Sequence, residues 1–312
     1  MCDAEWHRTR SDMTMKKRTG KTRSLAFRIA TTAFVVLFVV SAIMLAKELR
    51  QSKEEMQTFA ELAALRQPLE VASARPGMMP APTVPSSLAP IRIVIAEDGA
   101  VASDEPERVS EQESTEGTGE RMPLKEYLPL YELNPDFFGW ITVPDTKVNY
   151  PVMYNRNQPL KYLGHDFYGK DSYAGVPFLD SDCDPNGRFY LVYGHKMNDG
   201  SMFAGLVAYD KEVFWKEHPS FYFDTLYERR TYTVVVAMRA RVLDRGEDGF
   251  RYYTHTSLDS EEEFEEYMRQ ARKLARYDTG VETSFGDELL VLSTCYHFTS
   301  NGRFVIIAKR IS

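Results

Sequence analysis

The sequence predicts an α+β protein dominated by β-strands, which follows a membrane-spanning helix and a long disordered segment. The first observation is that residues 29–46 contain no charged side chain. The second is that aromatic and β-branched residues become frequent after residue 121, in short runs separated by Gly, Pro, Asn and Asp. About 190 of the 312 residues therefore remain for one globular domain, 121–312.

The apolar segment 29–46 predicts a helix that crosses a membrane. Its length is close to the ~20 residues that span the hydrocarbon core, whereas the apolar run of a cleaved signal peptide is shorter. A buried core helix is a second alternative, but periodic sequence rather than a basic cluster would flank it. The tail 1–28 is rich in Lys and Arg, which predicts that it stays in the cytoplasm. We therefore expect a single-pass protein of the cell membrane with its domain outside the cell.

Two further segments connect the membrane helix to the domain. Residues 47–67 are rich in strong helix formers, which predicts a juxtamembrane helix that Pro68 ends. Segment 68–120 is rich in Pro and acidic residues and poor in apolar ones. Because it offers too little apolar surface to offset the entropy of ordering, we predict a disordered linker that tethers the domain.

Seven runs within the domain predict strands of a mostly antiparallel barrel or sandwich, because turn residues bound them and their apolar residues alternate or are continuous. These runs are 139–143, 150–153, 189–193, 220–223, 231–242, 288–294 and 304–309.

One clear helix interrupts the strands. Ser260 and Glu263 have the spacing of a capping box, and apolar residues at helical spacing from Phe264 to Ala275 mark one face. Gly280 is the predicted stop. Shorter helices are expected at 124–133 and 202–216.

Composition excludes some classes of function. A formal charge of −7 argues against a nucleic-acid partner, which would require a basic surplus. The three cysteines, Cys2, Cys183 and Cys295, are too few for a disulfide framework and lack the paired spacing of a zinc site. We therefore expect at least one free thiol.

The segment 288–310 carries the main chemical signal. An apolar strand delivers Ser293, Thr294 and Cys295 at its end, and a short turn leads to Arg303 at the start of the next strand. On residue type alone, Cys295 would be a small buried apolar residue. A cysteine and an arginine on neighbouring strands can also face one pocket.

A histidine occurs in a similar setting. His195 follows the apolar run 189–193 where Gly, Asn and Asp begin, although a lone histidine there would usually be a solvated loop residue. Together, Cys295, His195 and Arg303 provide a nucleophile, a proton acceptor and donor, and a cation for a developing oxyanion. These groups are sufficient for acyl transfer. This chemistry requires no metal, and no cofactor is expected.

Four blocks of sequence, in order, resemble class B sortases, the membrane-anchored enzymes of Gram-positive bacteria that join surface proteins to the cell wall or to one another. The blocks are PDFFGWITVPDTKVNYPVM (135–153), YLGHDFYGKDSYAGVPFLD (162–180), YGHKMNDGSMFAGL (193–206), and LSTCYHF with NGRF (292–298 and 301–304). The predicted helix between two late strands is typical of class B rather than class A.

The resemblance implies a sortase-like eight-stranded β-barrel with peripheral helices. It also implies that His195, Cys295 and Arg303 form the catalytic set. Candidate substrate-binding residues are Leu163, Ser293 and Thr294.

The implied reaction is that of a cysteine transpeptidase, formally a cysteine-type peptidase. It would cleave a C-terminal sorting motif of secreted proteins at a Thr carbonyl, through a thioacyl-enzyme. The acyl group would then pass to an amine of a peptidoglycan precursor or to a pilin lysine. The implied partners are therefore sorting-signal proteins, an amine acceptor and the membrane.

Several alternatives stay open on the sequence alone. His297 is a second candidate base, because it would share the face of Cys295 if the strand continued. A disulfide between Cys183 and Cys295 would block the nucleophile. The chain could also bind peptides at the membrane without catalysis, or act as a cysteine peptidase that releases its product to water.

Overall fold

A computed structural model describes residues 4–66 and 121–312, which form a closed barrel preceded by a long helix. The strands are β1 (Phe137–Thr142), β2 (Asn149–Met153), β3 (Phe178–Leu179), β4 (Phe189–Tyr193), β5 (Ser220–Thr225), β6 (Thr231–Arg241), β7 (Leu289–Cys295) and β8 (Gly302–Arg310). The α-helices are α1 (Ala4–Leu65), α2 (Leu128–Leu133), α3 (Glu212–Glu217) and α4 (Glu261–Lys273). Short 3₁₀ helices are Lys161–Leu163, Phe203–Asp210 and Tyr252–Thr254. The eight-stranded barrel that the resemblance implies is confirmed.

The strand order around the barrel is β1-β2-β3-β4-β7-β8-β6-β5, and β5 pairs with β1 to close it. The pairs β2–β3 and β4–β7 are parallel, and the other pairs are antiparallel. Because β4 and β7 are parallel and β8 is antiparallel to β7, β4 and β7 finish where β8 begins. We call this the upper end of the barrel, and the opposite end the lower end.

All seven predicted strands coincide with observed strands to within a few residues. The observed strand that the sequence did not predict is β3, in which Phe178 and Leu179 are both buried. Two residues are too few to produce the run of four to eight that identifies a strand in a sequence.

Helix α4 begins as predicted but ends early. The Ser260 hydroxyl accepts the backbone N–H of Glu263 at 3.2 Å, which confirms the N-terminal cap. The predicted stop at Gly280 is wrong, because the helix ends at Lys273. Beyond it the backbone N–H of Arg276 donates to the Ala237 carbonyl on β6 at 2.8 Å, so pairing with the barrel replaces the next helical turn.

The two shorter predicted helices are partly correct. In the first, only Leu128–Leu133 is α-helical. In the second, the 3₁₀ helix Phe203–Asp210 precedes the α-helix Glu212–Glu217.

Helix α1 contains the predicted membrane segment and most of the predicted juxtamembrane helix. Its part Phe27–Leu65 is long and apolar enough to cross a membrane, and the apolar window is fully exposed. The helix ends at Leu65. Pro68 and the predicted linker 68–120 lie outside the described residues.

Candidate active site

Three adjacent strands bring the predicted site residues to the upper end of the barrel. Tyr193 of β4 is the register partner of Ser293 of β7, and the N–H of Gly194 donates to the Ser293 carbonyl at 3.1 Å. His195 and Cys295 each follow this pair by two residues. Neighbouring strands lie about 5 Å apart, so the histidine and the cysteine leave adjacent strand ends side by side.

Arg303 is the cross-strand partner of Cys295. The two residues are paired in the antiparallel ladder between β7 and β8, and both are partly exposed. The turn between them is tight, because a Cβ on Gly302 would lie 2.2 Å from the Tyr296 carbonyl oxygen. The strand-turn-strand prediction for this segment is therefore confirmed, and it brings the thiol and the guanidinium to neighbouring positions.

The His195 ring is held by a backbone carbonyl. Its Nε2 lies 2.9 Å from the carbonyl oxygen of Leu163. Because a carbonyl can only accept, the contact requires the proton on Nε2 and leaves Nδ1 of the neutral ring as an acceptor. Within the described residues, no hydrogen bond joins this ring to the Cys295 thiol.

The turn that carries His195 depends on a close approach to Gly194. A Cβ at Gly194 would lie 2.6 Å from the Phe203 ring, so only glycine allows this packing. The N–H of Phe203 also donates to the His195 carbonyl at 2.8 Å. These contacts fix the backbone of the histidine beside the core.

The three predicted substrate-binding residues differ in exposure. Leu163 is 41% exposed, next to the His195 ring that its carbonyl binds. Ser293 and Thr294 are each only 2% exposed. A peptide would therefore meet the Leu163 side chain first, and the role of all three as substrate contacts stays a prediction.

A buried tyrosine behind the site is absent from the sequence prediction. The Tyr252 hydroxyl lies 2.8 Å from the Ser293 hydroxyl. Burial raises the pKa of Tyr252 to about 12, against the opposing effects of the Ser293 hydrogen bond and the nearby Arg303 charge. It is therefore a neutral phenol below the strand end that carries Cys295. The only sequence signal was a pair of tyrosines in an irregular segment, which did not identify it.

A second set of contacts holds the turn after Cys295. The Arg239 guanidinium lies over the rings of Tyr296 and Phe298, at 5.3 and 5.9 Å from their centroids. Arg239 forms an ion pair with Asp210, which also binds Arg276. Burial alone would raise the pKa of Asp210, but the two arginines outweigh it and hold the pKa below its usual value. The turn is thus fixed by a charged carboxylate.

The alternative roles for His297 and Cys183 find no geometric support. Strand β7 ends at Cys295 and His297 is exposed in the following turn, so no continuing strand places His297 on the face of Cys295. Cys183 and Cys295 are both free thiols. Burial raises the pKa of the Cys183 thiol to about 12, which makes it a poor nucleophile.

The upper end therefore combines a thiol, an imidazole and a guanidinium on neighbouring strand ends. Within residues 4–66 and 121–312, no group of three or more His, Cys, Asp or Glu side chains is arranged to hold a metal ion. That the three residues are catalytic stays a prediction.

Comparison with known proteins identifies relatives of this barrel. A sequence model of the sortase domain matches residues 141–311. Sortase B of Listeria monocytogenes is 31% identical over 193 residues, which cover 59% of this chain and 73% of the relative. A crystal structure of a Bacillus anthracis protein described as similar to sortase B has a TM-score of 0.54 and 30% identity, and the match covers 62% of this chain and 85% of that one. A Staphylococcus aureus sortase B–substrate complex has a TM-score of 0.54 and 26% identity, with coverage of 60% and 85%.

Proposed function

This chain belongs to the sortase family, and from that premise we propose that it is a class B-type cysteine transpeptidase. One observation carries the proposal: β4, β7 and β8 are adjacent, so His195, Cys295 and Arg303 share one end of the barrel. The barrel fold alone would not support this proposed activity, because one fold can host many functions.

The first half of the proposed reaction cleaves a peptide bond. His195 takes the thiol proton of Cys295, and the thiolate attacks the carbonyl carbon of a threonine in a C-terminal sorting motif. Arg303 donates hydrogen bonds to the carbonyl oxygen while it carries negative charge. The C–N bond then breaks, His195 returns the proton to the leaving amine, and a thioacyl-enzyme remains.

The second half transfers the acyl group. An amine attacks the thioester, His195 accepts the amine proton, a new C–N bond forms and the C–S bond breaks. His195 then returns this proton to the Cys295 thiolate, which restores the free enzyme. The acceptor is an amine of a peptidoglycan precursor or a lysine of a pilin. Leu163 contacts the peptide, while Ser293 and Thr294 shape the wall behind it.

We place this reaction at the outer face of the cell membrane of a Gram-positive bacterium. The apolar part of α1 fits a membrane anchor, and the basic tail 1–28 favours a cytoplasmic N-terminus. An enzyme and a substrate that are both held in one membrane meet more often, because the membrane raises their effective concentration.

Cys183 and Cys295, the two cysteines within the described residues, provide the test. With the full chain in detergent, peptide cleavage and amine-dependent ligation are measured for Cys295→Ala and for the matched control Cys183→Ala. We expect Cys295→Ala to lose about 10⁴-fold or more of the rate, and Cys183→Ala to keep it. Retained turnover by Cys295→Ala would remove this thiol from the mechanism.

The same assay separates the other candidate functions. Omission of the amine should slow the transpeptidase or change its product. A rate and product independent of the amine would indicate a cysteine peptidase. Peptide binding without any turnover would indicate a binding domain.

A further inference from the structure

One face of α1 beyond the apolar segment is covered by the barrel. Residues 27–47 and 49–50 are exposed on all sides of the helix, whereas from residue 51 onwards covered and exposed positions follow helical spacing. We define the docking face as the covered residues Ser52, Glu55, Met56, Phe59, Leu62 and Arg66.

The centre of the docking face is apolar. Phe59 and Leu62 are 4% and 0% exposed. The Phe59 ring meets Tyr150 of β2 edge to face, with ring centroids 5.1 Å apart, and the Tyr150 hydroxyl lies 3.9 Å from Met56 Sδ. Removing these side chains from water favours the docked arrangement.

Polar contacts extend along the whole face. Near its start, the Ser52 hydroxyl donates to Asp199 at 2.5 Å, and Glu55 accepts from the Ser172 hydroxyl at 2.8 Å. At its end, the Arg66 guanidinium lies 3.9 Å from Asp224. It also lies over the rings of Tyr127 and Trp140. Contacts at both ends of the face fix the rotation of the helix as well as its position.

The residues that flank 67–120 in the sequence lie at one region of the barrel. Arg66 precedes it and contacts Asp224 near the end of β5. After it, the N–H of Leu124 donates to the carbonyl of Leu226, just beyond the same strand. The described residues on the two sides of 67–120 therefore contact the same region of the barrel.

We propose that the docking face, and not the segment 67–120, holds the barrel to the membrane anchor, with the upper end toward the membrane. Ser52 lies about 9 Å beyond Ala46 along the helix, whereas a flexible chain as long as 67–120 would allow separations of about 40 Å. The inference rests on the proposed membrane span but not on catalysis.

The direction of the helix gives the orientation. Asp199 belongs to the turn after His195, at the upper end, and contacts the membrane-proximal residue Ser52. Asp224 belongs to the part of β5 nearer the lower end and contacts Arg66. The helix thus runs from the upper end towards the lower end as it leaves the membrane, and the candidate active site faces the lipid surface.

Docking also supports the loops around His195. Tyr150, which packs on Phe59, accepts the N–H of Met202 from the end of the His195 turn at 3.1 Å. Ser172, which binds Glu55, donates its N–H to the carbonyl of Gly164, next to the Leu163 carbonyl that holds the histidine ring. The docking face is therefore connected through Tyr150 to the end of the His195 turn, and through Ser172 to Gly164, the residue after Leu163.

Photo-crosslinking in the intact chain tests the docking. A benzophenone amino acid is introduced at Met56, or at the neighbouring exposed Gln57 as the matched control, and a protease site is inserted into 67–120. After irradiation in lipid vesicles and cleavage, denaturing gels should show helix and barrel joined for position 56 and separate for position 57. Adding Phe59→Asp should reduce the joined product at position 56. No joined product at 56, or equal amounts at both positions, would overturn the docking.

Energy transfer to a headgroup-labelled lipid tests the orientation. A fluorescent amino acid replaces Asn198 at the upper end or Asn186 at the lower end; both side chains are exposed. Because transfer falls steeply with distance, Asn198 should transfer more strongly than Asn186, and Cys295→Ala should change neither. Equal or stronger transfer from Asn186 would overturn the orientation, whatever the outcome of the activity assays.

Discussion

The two ends of the barrel use arginines of the same strand in opposite ways. At the lower end, Arg310 of β8 binds Glu228 and Glu288 at 2.9 and 3.3 Å. At the upper end, the Arg303 side chain makes one hydrogen bond, to the adjacent Gly302 carbonyl at 3.0 Å. Among the described residues it has no ion pair.

This difference in ion pairing separates a stabilising arginine from one whose donors are mostly free within the described part of the chain. Arg230, which is 5% exposed, joins the same carboxylates as Arg310, so the charges of the lower end neutralise one another. Such a network is destabilised when one buried partner is lost. In the proposed reaction, the remaining N–H donors of the Arg303 guanidinium would bind a charge that appears only while the peptide reacts. The paired arginines Arg310 and Arg230 therefore stabilise the lower end, whereas Arg303 differs from them in having no carboxylate partner among the described residues.

The largest expected effect comes from replacing each of the two arginines of β8, Arg303 and Arg310, by alanine. Arg303→Ala should lower kcat/KM by about 10²–10³-fold, with little change in Tm. Arg310→Ala should lose about 1 kcal/mol of stability, because its pair is partly exposed, while the kcat/KM of the folded fraction stays near wild type. Steady-state ligation rates and thermal unfolding of both variants check this. Equal losses of activity in the two variants would show that Arg303 and Arg310 do not differ in function.

The second largest effect is expected for Arg230→Ala, and it concerns the free energy of unfolding alone. Arg230→Ala removes a buried cation from beside Glu288 and should destabilise the chain by about 3 kcal/mol, which corresponds to roughly 10 °C in Tm for a domain of this size. Calorimetry of the full chain measures it. A variant that unfolds at the wild-type temperature would show that the lower network is not stabilising.

A smaller effect is expected at Tyr252. Tyr252→Phe removes the hydroxyl that bonds Ser293, at a cost of about 1 kcal/mol. As a positioning residue below Cys295, it should lower kcat while leaving KM unchanged. Tyr253→Phe is the neighbouring control. A loss of stability with unchanged kcat would assign Tyr252 to the core only.

The smallest effect concerns pH. Burial alone raises the pKa of Glu228, but Arg310 and Arg230 outweigh it and hold the pKa below 4.5. A depressed folded-state pKa contributes stability above the unfolded value, and this is lost as pH falls through the folded pKa. The Tm difference between wild type and Arg310→Ala should therefore shrink below about pH 4.5, whereas that for Arg303→Ala should stay constant. Parallel pH dependence for both variants would contradict the contrast.

Local sequence patterns predicted most of the barrel. Runs such as 189–193 and 288–294 are apolar and end in turn residues, and these signals depend only on neighbours in the chain. The parallel pairing of β4 with β7 could not be predicted, because no turn sets its register and β5, β6 and α4 lie between them. The strand β3 could not be predicted either, because its two residues are too few to form a recognisable run.

The contacts of the candidate site were also only partly predictable from the sequence. Cys295 and Arg303 are joined by one turn, so sequence alone suggested that they are neighbours. The partners of Tyr252 and of the docking face could not be predicted. Tyr252 and Ser293, like Ser52 and Asp199, lie far apart in the sequence and meet only in the folded chain. The polar residues of 47–67 indicated a helix but not which surface would cover it.

The most direct test of the contrast between the two ends is the position of the covalent intermediate. The full chain is incubated with threonine-containing peptides that carry an electrophile in place of the scissile bond, and digested fragments are analysed by mass spectrometry. We predict that the adduct forms on Cys295 and that Arg303→Ala slows its formation while Arg310→Ala does not. An adduct on Cys183 with Cys295 unmodified, or equal rates in both arginine variants, would contradict the account.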